Sequence, residues 1–458
     1  MSENVSDSAP RNSARTKRGN DAPECEGEAS KSRSRASELG DSAGGAGASI
    51  PYLTLDPEVE AAIRADRARG WKNPHAFNDA HVRRRENNPH DAATLARPAF
   101  ARDIEKILNV PAYNRYANKT QVFSFVENDD ICRRGLHVQL VSRIARGIGS
   151  LLGLNCELIE AIAPGHDVGH TPFGHAGERF LNKCYHERTG RYFNHNVHSV
   201  RVLDRLYRRN ISLQTLDGVI CHNGEFAQQV LRVGTLSGFD ELDARVEACI
   251  ADESIIKTLR PATLEGCVVR VSDMIAYVGK DRQDAIDMGV LPSLDMFDST
   301  VIGRDNARII NNLTVDIVNN SYRRDRISMS EEVFCDLKRA KSQNYEKIYL
   351  KEGMVTDTGN IVEEMFEEMY ERLLEDLLSG DEDSPVFVHH AASLAAKSHT
   401  FDMGKYLSGE PNQVVVDYIA SMTDSYFTAL YEHLFPRSDK HIIARGYCAD
   451  LRRLAAAR

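Results

Sequence analysis

Residues 137–175 read HVQLVSRIARGIGSLLGLNCELIEAIAPGHDVGHTPFGH. Val141, Ile144, Ala145, Ile148, Leu151 and Leu152 recur at helical spacing, which predicts an amphipathic helix over 137–152. Gly153 is a natural C-terminal stop, and Asn155 is placed to cap a second helix, ELIEAIA. That helix runs into GHDVGHTPFGH at 165–175, which crowds three histidines and an aspartate into eleven positions. The stretch thus places two packed helices next to a loop dense in metal-capable groups.

Helical spacing continues on both sides, with further helices expected over 196–208, 212–222, 239–257, 264–288, 305–321, 330–342, 360–378 and 411–434. Strand signals are few, the best being VFSF at 122–125 and PVFV at 385–388. The fold class expected is all-α, with at most one small β-hairpin. Residues 1–50 are rich in Ser, Gly, Glu, Arg and Asn and nearly lack large apolar groups, so they read as a disordered tail. GDEDSP at 380–385 reads as a connector. The expected organisation is a core over 51–350 and a helical C-terminal subdomain over 351–458.

The 458 residues are long for one core, so two or more folded units are expected. The chain is 42% hydrophobic and 27% charged, ordinary for a globular protein. A net charge of −10 argues against a bulk nucleic-acid coat. Nine cysteines, scattered without a CxxC pair, suit a reducing cytoplasm better than a disulfide framework. No apolar run is long enough to span a bilayer, so a cytoplasmic protein without membrane partners is expected.

Eight of the sixteen histidines fall between His137 and His222, an excess over even spreading. His166 and Asp167 are adjacent, and an imidazole and a carboxylate are good ligands for a borderline divalent ion. Adjacent helical residues point about 100° apart, so both reach one ion only near a helix end, and Gly165, Pro172 and Gly174 put that end close by. A second pair is available in His137, upstream, and Asp273, downstream in VVRVSDMIAYVGKD. A bare carboxylate among Val271, Ile275 and Ala276 is costly unless something compensates it. Either a metal or an ion pair with Arg270 or Lys280 would do so.

The ordered set His137, His166-Asp167, Asp273 resembles the HD-domain metal-dependent phosphohydrolases. GHDVGHTPFGHAGERFLN at 165–182, RPAFARDIEKIL at 97–108, NRYANKTQVFSF at 114–125, FNHNVHS at 193–199, DMIAYVGKD at 273–281 and DYIASMTD at 417–424 narrow the likeness. Together they resemble the deoxynucleoside triphosphate triphosphohydrolases, the dGTPase-like branch, over roughly residues 70 to 430.

The resemblance implies a helical HD-domain catalytic core in which His137, His166, Asp167 and Asp273 hold one divalent ion, with manganese, iron, zinc and magnesium all open. It implies attack of water on the α-phosphorus of a deoxynucleoside triphosphate, dGTP first among candidates, releasing deoxynucleoside and tripolyphosphate. His175 and Glu178 match the catalytic pair of HAGE, with His175 as proton donor to the departing 5′ oxygen and Glu178 fixing its tautomer; His175 as nucleophile or base is the alternative. His195 matches a second catalytic or phosphate-contacting histidine, and His170 a further phosphate contact. Gln121, Arg134, Tyr277 and Asp281 match substrate-binding positions, with Tyr277 against the deoxyribose. His222 and His198 either line the pocket or pack, whereas His186 reads as surface loop. A homo-oligomer is implied, as is a nucleotide effector in some members.

Two departures stand out. Pro164 replaces an aliphatic residue just before the ligand pair, where it is expected to kink the helix. Ser421 and Ser425 stand where the branch commonly has Gly and Arg, which weakens any nucleotide or subunit contact made by that arginine. The rival readings are another HD enzyme, a nucleotidase or cyclic-nucleotide phosphodiesterase, and a non-enzymatic nucleotide sensor or single-stranded nucleic-acid binder using the basic stretches 201–209 and 322–326.

Overall fold

Side-chain caps open several of the described helices, with Asn155, Ser212 and Thr263 each accepting from a backbone N–H of the turn that follows. The computed structural model describes residues 50–223, 227–350, 361–398, 400–442 and 444–447. The expected N-terminal tail lies, apart from Ile50, outside the described residues.

Helices α1 (Pro57–Ala68), α2 (Ala99–Leu108) and α3 (Pro111–Asn114) lead to α4 (Arg134–Leu152) and α5 (Cys156–Gly165). Gly153, at φ 69°, closes α4, and the Asn155 side chain accepts from the Glu157 and Leu158 N–H groups to open α5. Helix α5 runs through Pro164 to Gly165, so the hydrogen bond lost to the proline falls in the last turn and the helix is not interrupted. After α6 (Gly174–Thr189) and α7 (His195–Arg201), the chain widens into a π-turn over Val202–Leu206 before α8 (Leu213–Ile220).

Helix α9 (Phe239–Ala251) is shorter than expected: Asp252 turns extended, and its side chain caps a separate 3-10 segment, Glu253–Thr258. The longest helix, α10 (Leu264–Asp287), starts at a Thr263 cap, and α11 (Asn306–Ser321) at an Asp305 cap. Next come α12 (Glu331–Asn344), α13 (Ile361–Ser379), α14 (Ala392–Lys397), α15 (Met403–Leu407), α16 (Pro411–Ser421) and α17 (Asp424–Leu434). The single helix expected over 411–434 is therefore two. Met422 leaves helical geometry with ψ 151°, and the Thr423 side chain accepts from Tyr426 N–H to start α17 afresh.

Neither strand candidate is a strand. VFSF is irregular, and Phe125 sits at φ 60°, in the left-handed region that breaks a strand. PVFV belongs to a helical turn, Val386–Ala391. The sheet seen among the described residues pairs β1 (Val230–Arg232) with β2 (Arg326–Ser328), antiparallel, with Leu231 opposite Ile327. These segments are far apart in the chain, so the pair is not a hairpin.

The main core lies among α2, α4, α5, α8, α10 and α11, with Val141, Ile144, Ile148, Leu158, Ile162, Val268 and Ile275 buried in it. A second core joins Phe173, Leu181 and Cys184 from the α6 region to Phe366, Met369, Val415, Ile419 and Phe427. The C-terminal helices thus share their apolar interior with α6, one of the elements that carries the site. No helix among the described residues is long and apolar enough to cross a membrane.

Candidate active site

Three elements bring four side chains together. The first turn of α4 presents His137, the turn after α5 presents His166 and Asp167, and the middle of α10 presents Asp273. All four are buried. His137 Nε2 lies 3.0 Å from Asp273 Oδ1, and His166 Nε2 lies 3.5 Å from Asp167 Oδ1 and 3.9 Å from Asp273 Oδ1. Lys280 pairs with Asp284 instead of Asp273, and Arg270 donates to the Leu259 carbonyl.

The hydrogen bonding of His166 determines how it can act. Its Nδ1 is 2.6 Å from the Ala163 carbonyl, an acceptor, so Nδ1 carries the hydrogen. Nε2 then offers a lone pair, and it is buried without a hydrogen-bond partner. A ligand histidine anchored through its other nitrogen to a carbonyl is the usual support for a bound metal. His137, His166 and Asp273 lie close enough to share one ion, and Asp167 groups with His166 and His222 around the same His166 nitrogen. Taken together, the four expected ligands offer two nitrogens and two carboxylates, a donor set suited to a divalent transition ion.

The carboxylates are held ionised. Burial alone would push Asp167 up, but His166 and the Arg134 guanidinium beside it hold it well below the usual range. Burial likewise opposes ionisation of Asp273, yet the His137 hydrogen bond, with His137, His166 and His222 nearby, brings it to about 2. Arg134, the first residue of α4, is buried and donates to Asp167 Oδ2 and to the Thr120 carbonyl. The expected nucleotide-contacting arginine is therefore engaged with a candidate metal ligand.

A second cluster, His170, His175, Glu178 and His195, adjoins the first. Helix α6 begins at Gly174, so His175 and Glu178 fall one turn apart, 3.0 Å from Nδ1 to Oε2. Glu178 Oε1 also takes His195, through both its backbone N–H at 2.8 Å and its Nδ1 at 2.9 Å. His170 is stacked on His195 with centroids 4.5 Å apart, fully buried, and neither of its ring nitrogens has a hydrogen-bond partner. Burial first, then Arg134 and His195, hold His170 well below the ordinary histidine range, so it is neutral.

His222 belongs to the site rather than to packing alone. Its Nδ1 is 2.6 Å from the Val219 carbonyl, while Nε2 lies 3.0 Å from His195 Nε2 and 3.8 Å from Asp167 Oδ1. Burial, with His166 and His195 close by, lowers it to about 3. His198 instead packs on Phe193, with Nδ1 3.7 Å from Asp417, outside these clusters. His186 is not in a surface loop; it lies in the last turn of α6, its ring stacked on Tyr192 at 4.2 Å.

Tyr277 and Asp281 follow Asp273 along α10 at successive turns. Asp281 is buried and accepts from the Tyr349 hydroxyl at 2.5 Å, and burial raises its carboxyl to about 7. Gln121 Oε1 is buried without a hydrogen-bond partner. Ser421 accepts from Arg115 through its carbonyl at 3.0 Å, and Ser425 is exposed. Sequence reasoning missed two groups that hold this region, Lys119 and Asp424. Lys119 lay inside the quoted KTQVF motif and Asp424 closed DYIASMTD, but only three-dimensional pairing links them to the site.

The HD domain family model matches residues 134–276, and the phosphohydrolase-associated domain matches residues 327–433. A deoxyguanosinetriphosphate triphosphohydrolase-like protein of Caldanaerobacter subterraneus subsp. tengcongensis is 31% identical over 348 residues, covering 74% of this chain and 85% of that protein. The chain belongs to the dGTPase-like family of HD-domain proteins. Similarly named relatives from Desulfatibacillum aliphaticivorans (30% identical, 75% of this chain, 90% of that protein) and Clostridium tetani (29%, 74% and 86%) match comparable lengths. As a member of the dGTPase-like family the protein is an HD-domain phosphohydrolase. The HD match spans His137, His166, Asp167, Asp273 and the whole histidine cluster around Glu178.

Proposed function

We propose that the protein hydrolyses deoxynucleoside triphosphates to deoxynucleoside and tripolyphosphate, with dGTP as the first substrate to test. The observation that carries this reading is the adjacency of two kinds of cluster: metal-capable groups that share His166, with His137 and Asp273 on one side and Asp167 and His222 on the other, beside a carboxylate, Glu178, that orients two histidines. The relatives' printed names supply the substrate class.

His137, His166, Asp167 and Asp273 are the residues proposed to hold a divalent ion, which would neutralise phosphoryl oxygens and acidify a water. His175 is the proposed proton donor. Its Nδ1 is turned to Glu178 and its side chain is 64% exposed, so Nε2 is available to a substrate oxygen. Water attacks the α-phosphorus, the bond to the 5′ oxygen breaks, and that oxygen leaves with the His175 proton. His195 and His170 are proposed to contact the phosphates, with Gln121, Tyr277 and Asp281 placing the sugar and His222 completing the wall. Arg134, which donates to Asp167 Oδ2, is proposed to balance the charge of that carboxylate on the substrate side.

A product assay with purified protein and manganese tests this, giving each deoxynucleoside triphosphate alone and then all four mixed. Tripolyphosphate with deoxynucleoside, abolished in His175→Ala and Asp167→Ala, is the expected result. Turnover only in the mixture would add a nucleotide effector. Pyrophosphate or orthophosphate would move the attack to another phosphorus and sink the proposal in favour of another HD reaction.

The nucleic-acid-binding reading is less well supported. Arg201 is paired with Asp417, Arg205 with Asp204 and Asp243, Arg208 with Glu86, and Arg323 with Asp66. The two basic stretches are therefore largely neutralised within the chain.

A further inference from the structure

The corner that launches α6 is conformationally costly. Phe173 at φ 59° and Gly174 at φ 58° are successive left-handed residues, and a phenylalanine rarely adopts that geometry without being held there. His175 and Glu178 follow immediately, so the direction of this corner sets where both side chains lie.

Two groups from the C-terminal half and its neighbour hold the corner. Asp424, the first residue of α17, accepts from Phe173 N–H through Oδ1 at 2.9 Å. Its Oδ2 accepts from Thr120 N–H at 3.0 Å and from the Thr120 hydroxyl. Lys119, buried beside it, donates from Nζ to the His170 carbonyl and, at 2.8 Å, to the Ala420 carbonyl at the end of α16. The Phe173 ring completes the attachment by packing on Phe427, 5.4 Å between centroids, and on Phe366.

We infer that Asp424 is a positioning residue for catalysis, holding the Phe173–Gly174 corner so that His175 and Glu178 face the substrate, with Lys119 fixing the other end of the same loop. Asp424 itself touches none of the reacting groups. The carboxylate matters because one residue must satisfy the corner N–H and both Thr120 donors at once, which needs two acceptor oxygens. The inference rests on the triphosphohydrolase reading for its kinetic consequence, but not for its structural one.

The test compares Asp424→Ala, Asp424→Asn and, as a control, Val415→Ala, a cavity in the same apolar core that leaves the Asp424 hydrogen bonds in place. For Asp424→Ala, kcat with dGTP and manganese should fall roughly ten- to hundredfold, the scale expected for misplacing a catalytic group. KM and bound metal per chain should change by no more than about twofold, whereas partial unfolding would lower kcat and bound metal together. Asp424→Asn, which keeps one acceptor for Phe173 N–H but turns an N–H₂ toward the Thr120 donors, should recover kcat only in part. Val415→Ala should lower the melting temperature while keeping kcat. Amide exchange over residues 168–178 should rise in Asp424→Ala and stay unchanged in Val415→Ala. Unchanged exchange there, or equal kcat loss in Val415→Ala, would overturn the inference. Absence of wild-type turnover would overturn the activity instead, while the exchange measurement would still decide the clasp.

Discussion

Glu178 Oε1 accepts twice from one residue, the backbone N–H and the Nδ1–H of His195, at 2.8 and 2.9 Å. Oε2 takes Nδ1 of His175 at 3.0 Å. A single carboxylate thereby sets the ring orientation of two histidines on different helices, and leaves Nε2 of each for other partners. Burial would push the Glu178 carboxyl up, but His195 and His175 hold it well below the usual range.

Glu178→Gln should therefore reduce kcat by at least about 100-fold, within the range assigned to positioned acid–base groups. A glutamine has one acceptor oxygen and places an amide N–H₂ against a ring N–H. Bound metal should stay the same, since Glu178 lies outside the proposed ligand set. The stability consequence has a definite sign. A carboxyl depressed in the folded state contributes stability above the unfolded value of 4.5 and loses it as pH falls further. Denaturant melts should accordingly show a larger cost for the variant at pH 7 than at pH 4. Equal costs would mean that the charge contributes nothing.

Chelation should lower the melting temperature, and added manganese should restore it. His166 Nε2, an unpartnered buried lone pair, and two ionised buried carboxylates gain a partner in the loaded state only. At an ion concentration one hundred times Kd the gain is about 2.7 kcal/mol. Asp273→Asn should show a much smaller metal-dependent shift in the same scanning experiment. A melting temperature indifferent to chelator and metal would remove the metal from this cluster.

Asp281 predicts a pH effect of the opposite sign. Burial raises its folded pKa to about 7, above the unfolded 3.8, so the folded state binds the extra proton between those values. Stability should fall as pH rises through that window, with the cost complete above about pH 7. The shift of about three units corresponds to at most about 4 kcal/mol. Asp281→Asn keeps an acceptor for the Tyr349 hydroxyl and removes the ionisation. It should be more stable than the wild type at pH 8 and nearly equal to it at pH 4.5. The same stability difference at both values would rule out Asp281 as the titrating group.

The helices were legible because their signals are local: Gly153, Asn155, Thr263 and Asp305 close or open helices by contacts within a few residues. The two-helix break at Thr423 carried the same kind of signal but was hidden by the apolar run around it. VFSF has strand-forming residues, yet tertiary packing of Phe125 on Phe173, 5.1 Å between centroids, selects a left-handed backbone there. The order His137, His166, Asp167, Asp273 was readable as a motif. Their support was not: Arg134 on Asp167, Val219 on His222 and Asp424 on Phe173 depend on pairings that no sequence period encodes.

Arg134 and Asp167 give the sharpest electrostatic prediction, since both are buried and directly paired. Removing a buried cation from its anion costs about 3–5 kcal/mol, because the anion is left uncompensated. A divalent ion bound to Asp167 supplies that missing charge. Arg134→Gln should therefore lose most of this stability in chelated protein and much less when loaded with metal. By linkage, the ion should then bind the variant more tightly than the wild type, as expected if the guanidinium repels it. Denaturant melts with and without metal, together with a direct metal titration, measure both sides of that cycle. Weaker metal binding in Arg134→Gln would show instead that the guanidinium serves chiefly to aim the Asp167 carboxylate, with orientation outweighing charge.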